Sequence, residues 1–309
     1  MSQAAFAAAD WGTTRLRVWL LDAAGVVLDE RRSDEGMLAA QPDRFAAILE
    51  RQLADMGADA SLPVIVCGMA GARQGWIEAP YVTVPASLDS IFGAAVRVPG
   101  LARDVRIVPG LAQRDPAAPD VIRGEETQLA GAVSKLGGGK HVVCMPGTHS
   151  KWVTLDDGSV TRFQTFMTGE LFSLLSAQSI LRHSIGGDAE VRADSDAFVT
   201  ACRAALADAS PLETKLFRIR AATLLQELTP DEAANRLSGL LIGAEIAAAR
   251  VIFRMNGGKV VLIASGGMHD LYAAAIGLAG YDIVAVDADE AVRAGLISAA
   301  GLTILKDAV

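Results

Sequence analysis

Short hydrophobic runs and tight turns alternate in the first part of the chain. The pattern predicts a strand that ends at Asp10, a second strand over residues 15–21 and a third over residues 26–32. The first turn, residues 11–14, contains a Gly-Thr pair, and the second, residues 22–25, contains Asp and Gly. Because such residues favour tight hairpins, we expect a three-stranded antiparallel meander.

The same pattern occurs again in the middle of the chain. Residues 141–145, 150–155 and 159–165 predict three strands, and residues 146–149 and 156–158 form the turns between them. The first of these turns again carries Gly-Thr, and the second again carries Asp and Gly. Repeats are best sought before local structure is assigned, and this one predicts a duplicated fold.

Helices and strands alternate after each meander. Residues 42–56 have helical periodicity, and residues 63–67 form a continuous apolar run, as expected for a parallel strand covered on both faces. Thr229 and Pro230 predict the start of a long helix, as N-cap and first helical residue. The second half predicts helices at 170–181, 194–207 and 231–254, a strand at 259–264, a helix from Met268, a strand at 282–286 and a last helix from Asp289. We therefore expect two mixed α/β domains of one plan, with a boundary near the glycines of residues 136–140.

The two Gly-Thr turns are candidates for phosphate binding. At Gly12-Thr13-Thr14 and at Gly147-Thr148, a glycine beside a hydroxyl residue lets backbone N–H groups and the hydroxyl approach a phosphate closely. Each turn alone is better explained as a simple hairpin. Two such turns, one opening each half of a duplicated chain, favour contacts to a single phosphate chain.

Asp10 comes directly before the first turn, at the end of an apolar strand. A carboxylate is costly in that position unless it has a partner, and Mg²⁺ bound to nucleotide phosphates takes one or two carboxylates plus waters. We therefore predict that Asp10 holds Mg²⁺. The alternative is a hydrogen-bonded turn residue.

Ser265-Gly266-Gly267-Met268 lies between a predicted strand and a predicted helix. Small residues at such a crossing let a base or a ribose lie against the backbone, near the N–H groups of the helix N-terminus. The segment is also an ordinary loop sequence. Its position after both Gly-Thr turns favours nucleotide binding.

Residues 120–127 are expected at the start of a helix, and they include Glu125 and Glu126. The helix dipole favours carboxylates in a first turn, so helix capping alone explains both residues. The alternative is a general base, because phosphoryl transfer to an alcohol needs a group that accepts the hydroxyl proton. Either glutamate could take this role in a site that also includes the phosphate turns.

Composition and charge exclude some classes of function. The chain has 309 residues, of which 51% are hydrophobic and 21% charged, and a formal net charge of −8. This is the composition of a globular enzyme of about two domains. Without a basic run, the chain does not offer a surface for nucleic acid.

The cysteines and the apolar segments predict a reducing environment. Cys67, Cys144 and Cys202 are too far apart in sequence for a typical zinc site or disulfide framework. Residues 1–9 lack the basic start of a signal peptide, and we expect them to enter the first strand. The longest apolar segment, residues 237–253, contains Glu and Arg, so we expect a buried helix between domains and no membrane span. These features predict a cytoplasmic protein.

Three motifs resemble the phosphate-1, phosphate-2 and adenosine motifs of the actin, Hsp70 and sugar-kinase superfamily. They are Asp10-Trp11-Gly12-Thr13-Thr14, Gly147-Thr148 and Ser265-Gly266-Gly267. Gly124-Glu125 resembles the Gly-Asp pair that carries the base in carbohydrate kinases. Glu125, and not Glu126, falls on the matching position, with Glu in place of Asp.

Five longer strings, spread over essentially the whole chain, resemble the 2-dehydro-3-deoxygalactonokinase family. They are Gly68-Met69-Ala70-Gly71-Ala72-Arg73-Gln74-Gly75-Trp76, Glu78-Ala79-Pro80-Tyr81, Arg123-Gly124-Glu125-Glu126-Thr127-Gln128, Pro146-Gly147-Thr148-His149-Ser150-Lys151 and Met167-Thr168-Gly169-Glu170-Leu171-Phe172. No turn or helix rule forces their composition, so they are far more specific than the Gly-Thr turns.

The resemblance implies a fold and a reaction. The fold is α/β, with two RNase H-like domains of the actin/Hsp70/sugar-kinase type and an interdomain cleft. Residues 1–136 are expected to carry the acceptor-sugar site and residues 137–309 the adenosine site. The reaction is phosphorylation of 2-dehydro-3-deoxy-D-galactonate at its terminal hydroxyl by ATP with Mg²⁺, which gives the 6-phosphate and ADP in galactonate catabolism.

The resemblance also implies residues that bind the sugar acid. A guanidinium group matches a carboxylate in two-point geometry, so Arg73 and Arg15 are candidates for its carboxylate. Gln74 and Trp76 could add a hydrogen bond and an apolar wall. The expected substrate site is Arg15, Gly71, Arg73, Gln74, Trp76 and Arg123.

Two rival functions remain open from the sequence. The first is a kinase for another sugar or sugar acid, because pocket details and not superfamily motifs fix the substrate. The second is a non-kinase, ATP-gated interaction protein of the same superfamily. The oligomeric state is left open, with a homodimer as one option.

Overall fold

The structure of this protein, a computed structural model, describes residues 3–208 and 210–306. The strands are β1 Phe6–Trp11, β2 Leu16–Leu21, β3 Val27–Ser33, β4 Val64–Gly68, β5 Val82–Thr83, β6 Ala86–Ser87, β7 Val96–Arg97, β8 Val105–Ile107, β9 Leu111–Gln113, β10 Asp120–Ile122, β11 Lys140–Met145, β12 Ser150–Asp156, β13 Ser159–Phe166, β14 Lys259–Ile263 and β15 Asp282–Val286. The α-helices are α1 Met37–Asp55, α2 Leu88–Gly93, α3 Glu125–Leu136, α4 Thr168–Gln178, α5 Asp196–Ala207, α6 Leu212–Leu225, α7 Pro230–Ile252, α8 Gly266–Leu278 and α9 Ala288–Leu302. Short 3₁₀ helices cover Met69–Gly71 and Ile180–His183.

The chain divides into two compact units. Unit 1 consists of the described residues of Met1–Gly139, Leu155–Arg162 and Ala288–Val309, and unit 2 consists of Lys140–Thr154 and Phe163–Asp287. The sequence predicted two contiguous domains with a boundary at residue 136. In the structure the last helix belongs to unit 1, because α9 packs against α3 there. The outer ends of the predicted domains, residues 1–2 and 307–309, lie outside the described residues.

Unit 1 contains a six-stranded sheet in the order β3-β2-β1-β4-β8-β7. β1 pairs antiparallel with β2 and parallel with β4, and β4 pairs parallel with β8. All five residues of β4 are buried, as the continuous apolar run predicted. A smaller sheet, β10-β9-β5, lies in the same unit.

The sheet of the second half repeats this plan. The strands of the second half lie in the order β15-β14-β11-β12-β13, with β14 parallel to both β11 and β15. Each half therefore has a meander of three strands followed by parallel strands that add beyond its first strand. The predicted repeat is confirmed at the level of strand order.

Helices α3 and α9 pack backbone against backbone in unit 1. A Cβ atom on Gly131 would lie 1.9 Å from the carbonyl oxygen of Ala291, and one on Gly295 would lie 1.9 Å from that of Thr127. Neither position has room for a side chain, so the two glycines set how closely the helices approach.

Helix α7 forms the core of unit 2 with α5. Gly239 and Gly243 face α5, where an added Cβ would lie 2.4 Å from the Phe198 carbonyl oxygen and 2.7 Å from the Cys202 carbonyl oxygen. The helix begins with a capping box at Thr229, and Pro230 is its first residue, as predicted. Within residues 3–208 and 210–306, no helix is long and apolar enough to cross a membrane.

Two local predictions were wrong or incomplete. The helix expected from Asp120 begins only at Glu125, because Asp120–Ile122 pairs as β10 and Gly124 takes a positive φ of 103°. Helix α6, Leu212–Leu225, was not predicted. Its apolar residues surround the whole helix, so the sequence lacks the one-sided periodicity that signals a helix.

Candidate functional site

The first Gly-Thr turn presents unused donors at the surface of unit 1. The carbonyl groups of Gly12, Thr13 and Thr14 accept hydrogen bonds from the backbone N–H groups of Met37, Leu38 and Gly36, respectively. Both threonines are exposed, and among the described residues nothing bonds to their hydroxyls or backbone N–H groups. A turn whose carbonyls are occupied and whose Thr13 and Thr14 donors are free suits an anion.

Asp10 lies beside this turn in an ion-pair network. Arg17 faces it across β1 and β2, and the Arg17 Nη2 to Asp10 Oδ2 distance is 2.5 Å. Arg17 also bonds to Asp289 at the start of α9, and Arg32 lies 3.2 Å from the other oxygen of Asp289. These four residues line a cavity of about 570 Å³ in unit 1 together with Gly12, Arg15, Leu16, Ser33 and Asp34.

The other oxygen of Asp10 faces a buried thiol. Cys67 Sγ lies 3.6 Å from Asp10 Oδ1. Burial and then the charge of Asp10 raise the pKa of Cys67 well above its ordinary value, so the thiol is neutral and can donate.

The sequence predicted that Asp10 holds Mg²⁺. Within the part of the chain that the structure describes, no group of three or more His, Cys, Asp and Glu side chains could hold a metal ion. Magnesium that accompanies a nucleotide needs only one or two carboxylates, with phosphates and water as its other ligands. The carboxylate of Asp10, beside a turn with free donors, fits that requirement.

The two candidate bases, Glu125 and Glu126, have different environments. Glu126 is fully buried and accepts a 2.7 Å hydrogen bond from the Gly124 N–H. Burial, and to a lesser degree the charge of Glu125, raise the pKa of Glu126 to about 8. Glu125 is partly exposed and accepts a 3.0 Å bond from the Arg123 N–H. Only Glu125 of this pair has surface that could meet a substrate.

The Arg123 side chain joins the start of α3 to the loop before β5. Its Nη2 donates to the Ala79 carbonyl at 2.8 Å, and its guanidinium lies 4.4 Å from the centre of the Tyr81 ring. A Cβ on Gly71 would lie 2.6 Å from Nη1, so the glycine makes room for the guanidinium. The Nε and Nη1 atoms are buried and have no hydrogen-bond partner among the described residues.

The remaining predicted substrate residues are divided between surface and core. Arg73 and Gln74 are exposed. Trp76 is partly buried and stacks on Phe45, with ring centres 5.8 Å apart and planes 12° apart. Its ring also meets Trp11 edge-on at 6.1 Å. Trp76 therefore packs largely into the core of unit 1.

Unit 2 contains a cavity of about 530 Å³ that brings the second turn together with one residue of the adenosine segment, Met268, while Ser265, Gly266 and Gly267 are not among its lining residues. Gly147 and Thr148 lie at this cavity with Met268, although they are far apart in the sequence. The other lining residues are Thr168, Gly169, Phe172, Ser173, Val191, Ser238, Leu241, Ile242, Leu271 and Tyr272. The lining thus combines a polar glycine turn with apolar side chains, as nucleotide pockets do.

The N-terminus of α4 supports the second turn. A Cβ on Gly169 would lie 2.5 Å from the Gly147 carbonyl oxygen, and the Glu170 N–H donates to the Thr148 carbonyl at 2.9 Å. The Glu170 side chain bonds to the His149 ring. The sequence placed Gly169 and Glu170 only within a family-specific string and gave these two residues no role.

The adenosine segment caps α8. Ser265 Oγ donates to Asp287 Oδ2 at 2.8 Å, and Gly266 takes a positive φ of 59°. Added Cβ atoms on Gly266 and Gly267 would meet nothing within 4 Å. Space is therefore open beside both glycines at the start of α8.

The sequence interpretation missed Arg17, Asp289, Thr168 and Tyr272. Arg17 alone carried a usable signal, because a strand that pairs with β1 across a two-residue hairpin brings it opposite Asp10. The other three come from distant parts of the chain, and no pattern links them to the turns.

Comparison with known proteins identifies the family. The model of the 2-keto-3-deoxy-galactonokinase family matches residues 10–299. This chain belongs to that family. The predicted family and the predicted class, an ATP-dependent carbohydrate kinase, are confirmed, and the rival idea of a non-kinase interaction protein is not supported.

Two curated relatives extend along nearly the whole chain. A probable 2-dehydro-3-deoxygalactonokinase of Rhizobium meliloti (strain 1021) is 50% identical over 295 residues, which are 96% of each protein. The 2-dehydro-3-deoxygalactonokinase of Escherichia coli (strain K12) is 36% identical over 299 residues, which are 96% of this chain and 98% of that protein.

Solved structures confirm the fold class. The crystal structure of a protein from Sinorhizobium meliloti, described as a 2-dehydro-3-deoxygalactonokinase, superimposes with a TM-score of 0.93 at 50% identity, covering 96% of this chain and 98% of that one. The activator of 2-hydroxyisocaproyl-CoA dehydratase from Clostridium difficile, solved with ADPNP, has a TM-score of 0.52 at 10% identity and covers 98% and 97% of the two chains. At that identity the second likeness concerns the fold alone. The roles of individual site residues, and the contact of both turns with one nucleotide, stay predictions for this family member.

Proposed function

We propose that this protein transfers the γ-phosphoryl group of ATP to the terminal hydroxyl of 2-dehydro-3-deoxy-D-galactonate, forming the 6-phosphate and ADP. The names of the curated relatives, which match over nearly their full length, support this substrate. The observation that carries the nucleotide part is the cavity of unit 2, in which Gly147 and Thr148 lie with Met268.

The adenosine is proposed to occupy that cavity. Phe172, Leu241, Ile242 and Leu271 supply apolar walls for a base, while the turn offers space and donors to the phosphates. Gly147 has no atom closer than 4.0 Å to an added Cβ, so a phosphate can approach its backbone.

The turn of unit 1 is proposed as a further phosphate-binding turn. Thr13 and Thr14 have free hydroxyls and N–H groups, and Arg17 offers a guanidinium that matches phosphate geometry. Magnesium, when bound with ATP, would neutralise phosphate charge and be held by Asp10 with water. Arg17 then keeps Asp289 as a second partner when Asp10 faces the metal.

Glu125 is proposed to accept the proton of the attacking hydroxyl. Its carboxylate is partly exposed and is oriented by the Arg123 N–H. Glu126, buried beside it, favours the protonated form near neutral pH, which suits a structural cap and not a base. We therefore assign the catalytic role to Glu125.

The sugar acid is proposed to bind unit 1 near Glu125. The exposed side chains of Arg73, Gln74 and Arg15 are available for its carboxylate and hydroxyls. Arg123 and Gly71 lie behind the loop before β5, where they can set its shape. Trp76, held in the core, is proposed to anchor the segment that carries Arg73 and Gln74.

A coupled assay that detects ADP tests the proposal. The purified chain is incubated with ATP and Mg²⁺ and with a panel of sugar acids and neutral sugars, and the product is located by NMR. We expect turnover with 2-dehydro-3-deoxy-D-galactonate, loss of turnover with EDTA and phosphorus at the terminal position. Faster turnover with another acceptor would favour a kinase for that sugar, and ADP release without any acceptor would contradict transfer to a sugar.

The cellular location follows from the same proposal. A kinase that uses ATP and a catabolic sugar acid is proposed to act in the cytoplasm, where both are present. A homodimer stays a prediction, to be tested by light scattering of the purified chain.

A further inference from the structure

Glu245 is a buried carboxylate in the middle of α7, with 3% of its surface exposed. Its Oε1 accepts a 2.8 Å hydrogen bond from Trp152 Nε1, and its Oε2 accepts a 2.7 Å bond from the Tyr272 hydroxyl. Ser150 Oγ lies 2.8 Å from the Tyr272 hydroxyl, and the Thr168 side chain also bonds to Glu245. A carboxylate is costly in the interior unless such bonds satisfy it.

The donors come from three separate elements of unit 2. Ser150 and Trp152 lie on β12, which follows the Gly147-Thr148 turn. Tyr272 lies on α8, one helical turn after Met268, and Thr168 is the first residue of α4. A single carboxylate therefore joins the strand and the two helices that surround the cavity.

Glu245 reaches the cavity through other residues. Thr168 and Tyr272 line the cavity with Gly147, Thr148 and Met268, whereas Glu245 does not. The Tyr272 hydroxyl donates to Glu245, and the Ser150 hydroxyl lies within bonding distance of Tyr272 and also bonds to Glu245. The network thus holds the Thr168 and Tyr272 side chains, which line the cavity, to one buried carboxylate.

The ionisation of Glu245 is balanced by the same bonds. Burial raises the pKa of Glu245, and bonds from Thr168, Trp152 and Tyr272 oppose the rise. Trp152 can only donate, so it needs an acceptor at this position in either protonation state.

We propose that Glu245 is a positioning residue for nucleotide binding, acting through Tyr272 and Thr168 on the cavity of unit 2. This inference rests on the proposed function, which assigns the nucleotide to that cavity. A carboxylate held by fixed donors shapes the pocket in advance and lowers the cost of ordering it when the nucleotide binds.

The test is Glu245→Gln in the full chain, with ADP binding measured by calorimetry. Glutamine keeps the shape but offers one acceptor oxygen and an NH₂ group, so Trp152 or Tyr272 loses its acceptor. We expect the Kd for ADP to rise about tenfold, because one lost hydrogen bond of this kind changes an equilibrium by about that factor. The KM for the sugar acid at saturating ATP should change less than about twofold.

Leu237→Ala is the matched control, since Leu237 is fully buried on the same helix but does not line the cavity. It should lower the melting temperature without changing the Kd for ADP. Tyr272→Phe, which removes one bond to Glu245 and the contact with Ser150, provides a second variant if Glu245→Gln does not fold, and it should raise the Kd for ADP by a smaller factor.

The outcomes separate this inference from the proposed function. If wild-type protein binds ADP and both network variants bind it equally well, or no more weakly than Leu237→Ala, the network is merely structural and the inference is overturned. If wild-type protein does not bind ADP, the nucleotide cavity of the proposed function is wrong, and this inference falls with it.

Discussion

The guanidinium of Arg17 donates a hydrogen bond to the carboxylate of Asp10, with Nη2 and Oδ2 2.5 Å apart. The two residues are register partners on β1 and β2, so the hairpin itself brings them together. Both are partly exposed, each with 19% of its side-chain surface accessible, and both line the cavity of unit 1. Under the proposed function, this carboxylate and this guanidinium are the groups that would meet the metal and a phosphate.

Replacing Arg17 with Met should weaken ATP binding. The change removes the guanidinium that is proposed to bind a phosphate, so we expect the KM for ATP to rise at least tenfold, as for the loss of about 1.5–3 kcal/mol from a charged hydrogen bond. The KM for the acceptor should stay close to wild type. Arg31→Met is the control, because Arg31 pairs with Asp55 and does not line this cavity. Equal ATP kinetics in both variants would remove Arg17 from the phosphate site.

Glu125→Gln should slow turnover without weakening ATP binding. Loss of a general base lowers kcat by about 10²–10⁴-fold, and the amide keeps the size of the side chain. Single-turnover kinetics and calorimetry with ADP separate the two effects. Wild-type turnover in this variant would reject Glu125 as the base.

Because Glu126 is buried, the free energy of unfolding should fall as the pH rises. Its pKa is raised by burial from 4.5 to about 8, so the folded state holds its proton more tightly than the unfolded state does. Its full stabilising effect is present below about pH 4.5 and is lost as the pH rises towards 8, by up to about 1.4 kcal/mol per pH unit. Urea unfolding is measured for the wild type and Glu126→Gln between about pH 4.5 and 8. The free energy of unfolding should fall with pH in the wild type only. A slope that persists in Glu126→Gln would assign the dependence to another group.

Gly295→Ala should destabilise the protein by about 1–3 kcal/mol through overpacking. The new Cβ would lie 1.9 Å from the Thr127 carbonyl oxygen, so α3 and α9 must move apart. Gly301→Ala in the same helix meets nothing within 4 Å and should be neutral or stabilising by up to about 1 kcal/mol. Thermal unfolding of the two variants gives the comparison, and equal melting temperatures would show that the helices can separate freely.

Arg123→Met should impair the acceptor side of the reaction. Without the bond to the Ala79 carbonyl and the contact with Tyr81, the loop before β5 loses its attachment beside Glu125. We expect the KM for the sugar acid to rise about tenfold while the KM for ATP is unchanged. Arg114→Met is the control, since exposed Arg114 bonds only to the Thr83 side chain among the contacts described for it. A rise in both KM values would instead indicate a general loss of structure.

The sequence by itself determined the repeated plan. Strand and turn patterns are local, and the two meanders at β1–β3 and β11–β13 follow from alternating hydrophobicity and from Gly and Asp at the turns. The start of α7 was equally local, because its capping box lies within four consecutive residues. The sequence also indicated the family, through strings whose composition no turn or helix rule forces, and the family model confirmed it.

Tertiary structure decided which of these residues act together. Glu125 and Glu126 are neighbours with the same chemistry, and only packing buries the second and raises its pKa. Asp289 reaches Arg17 because α9 packs into unit 1, and Glu245 reaches Tyr272 because α7 packs beside α8. Contacts between distant segments depend on how the elements pack, and no local pattern records that geometry.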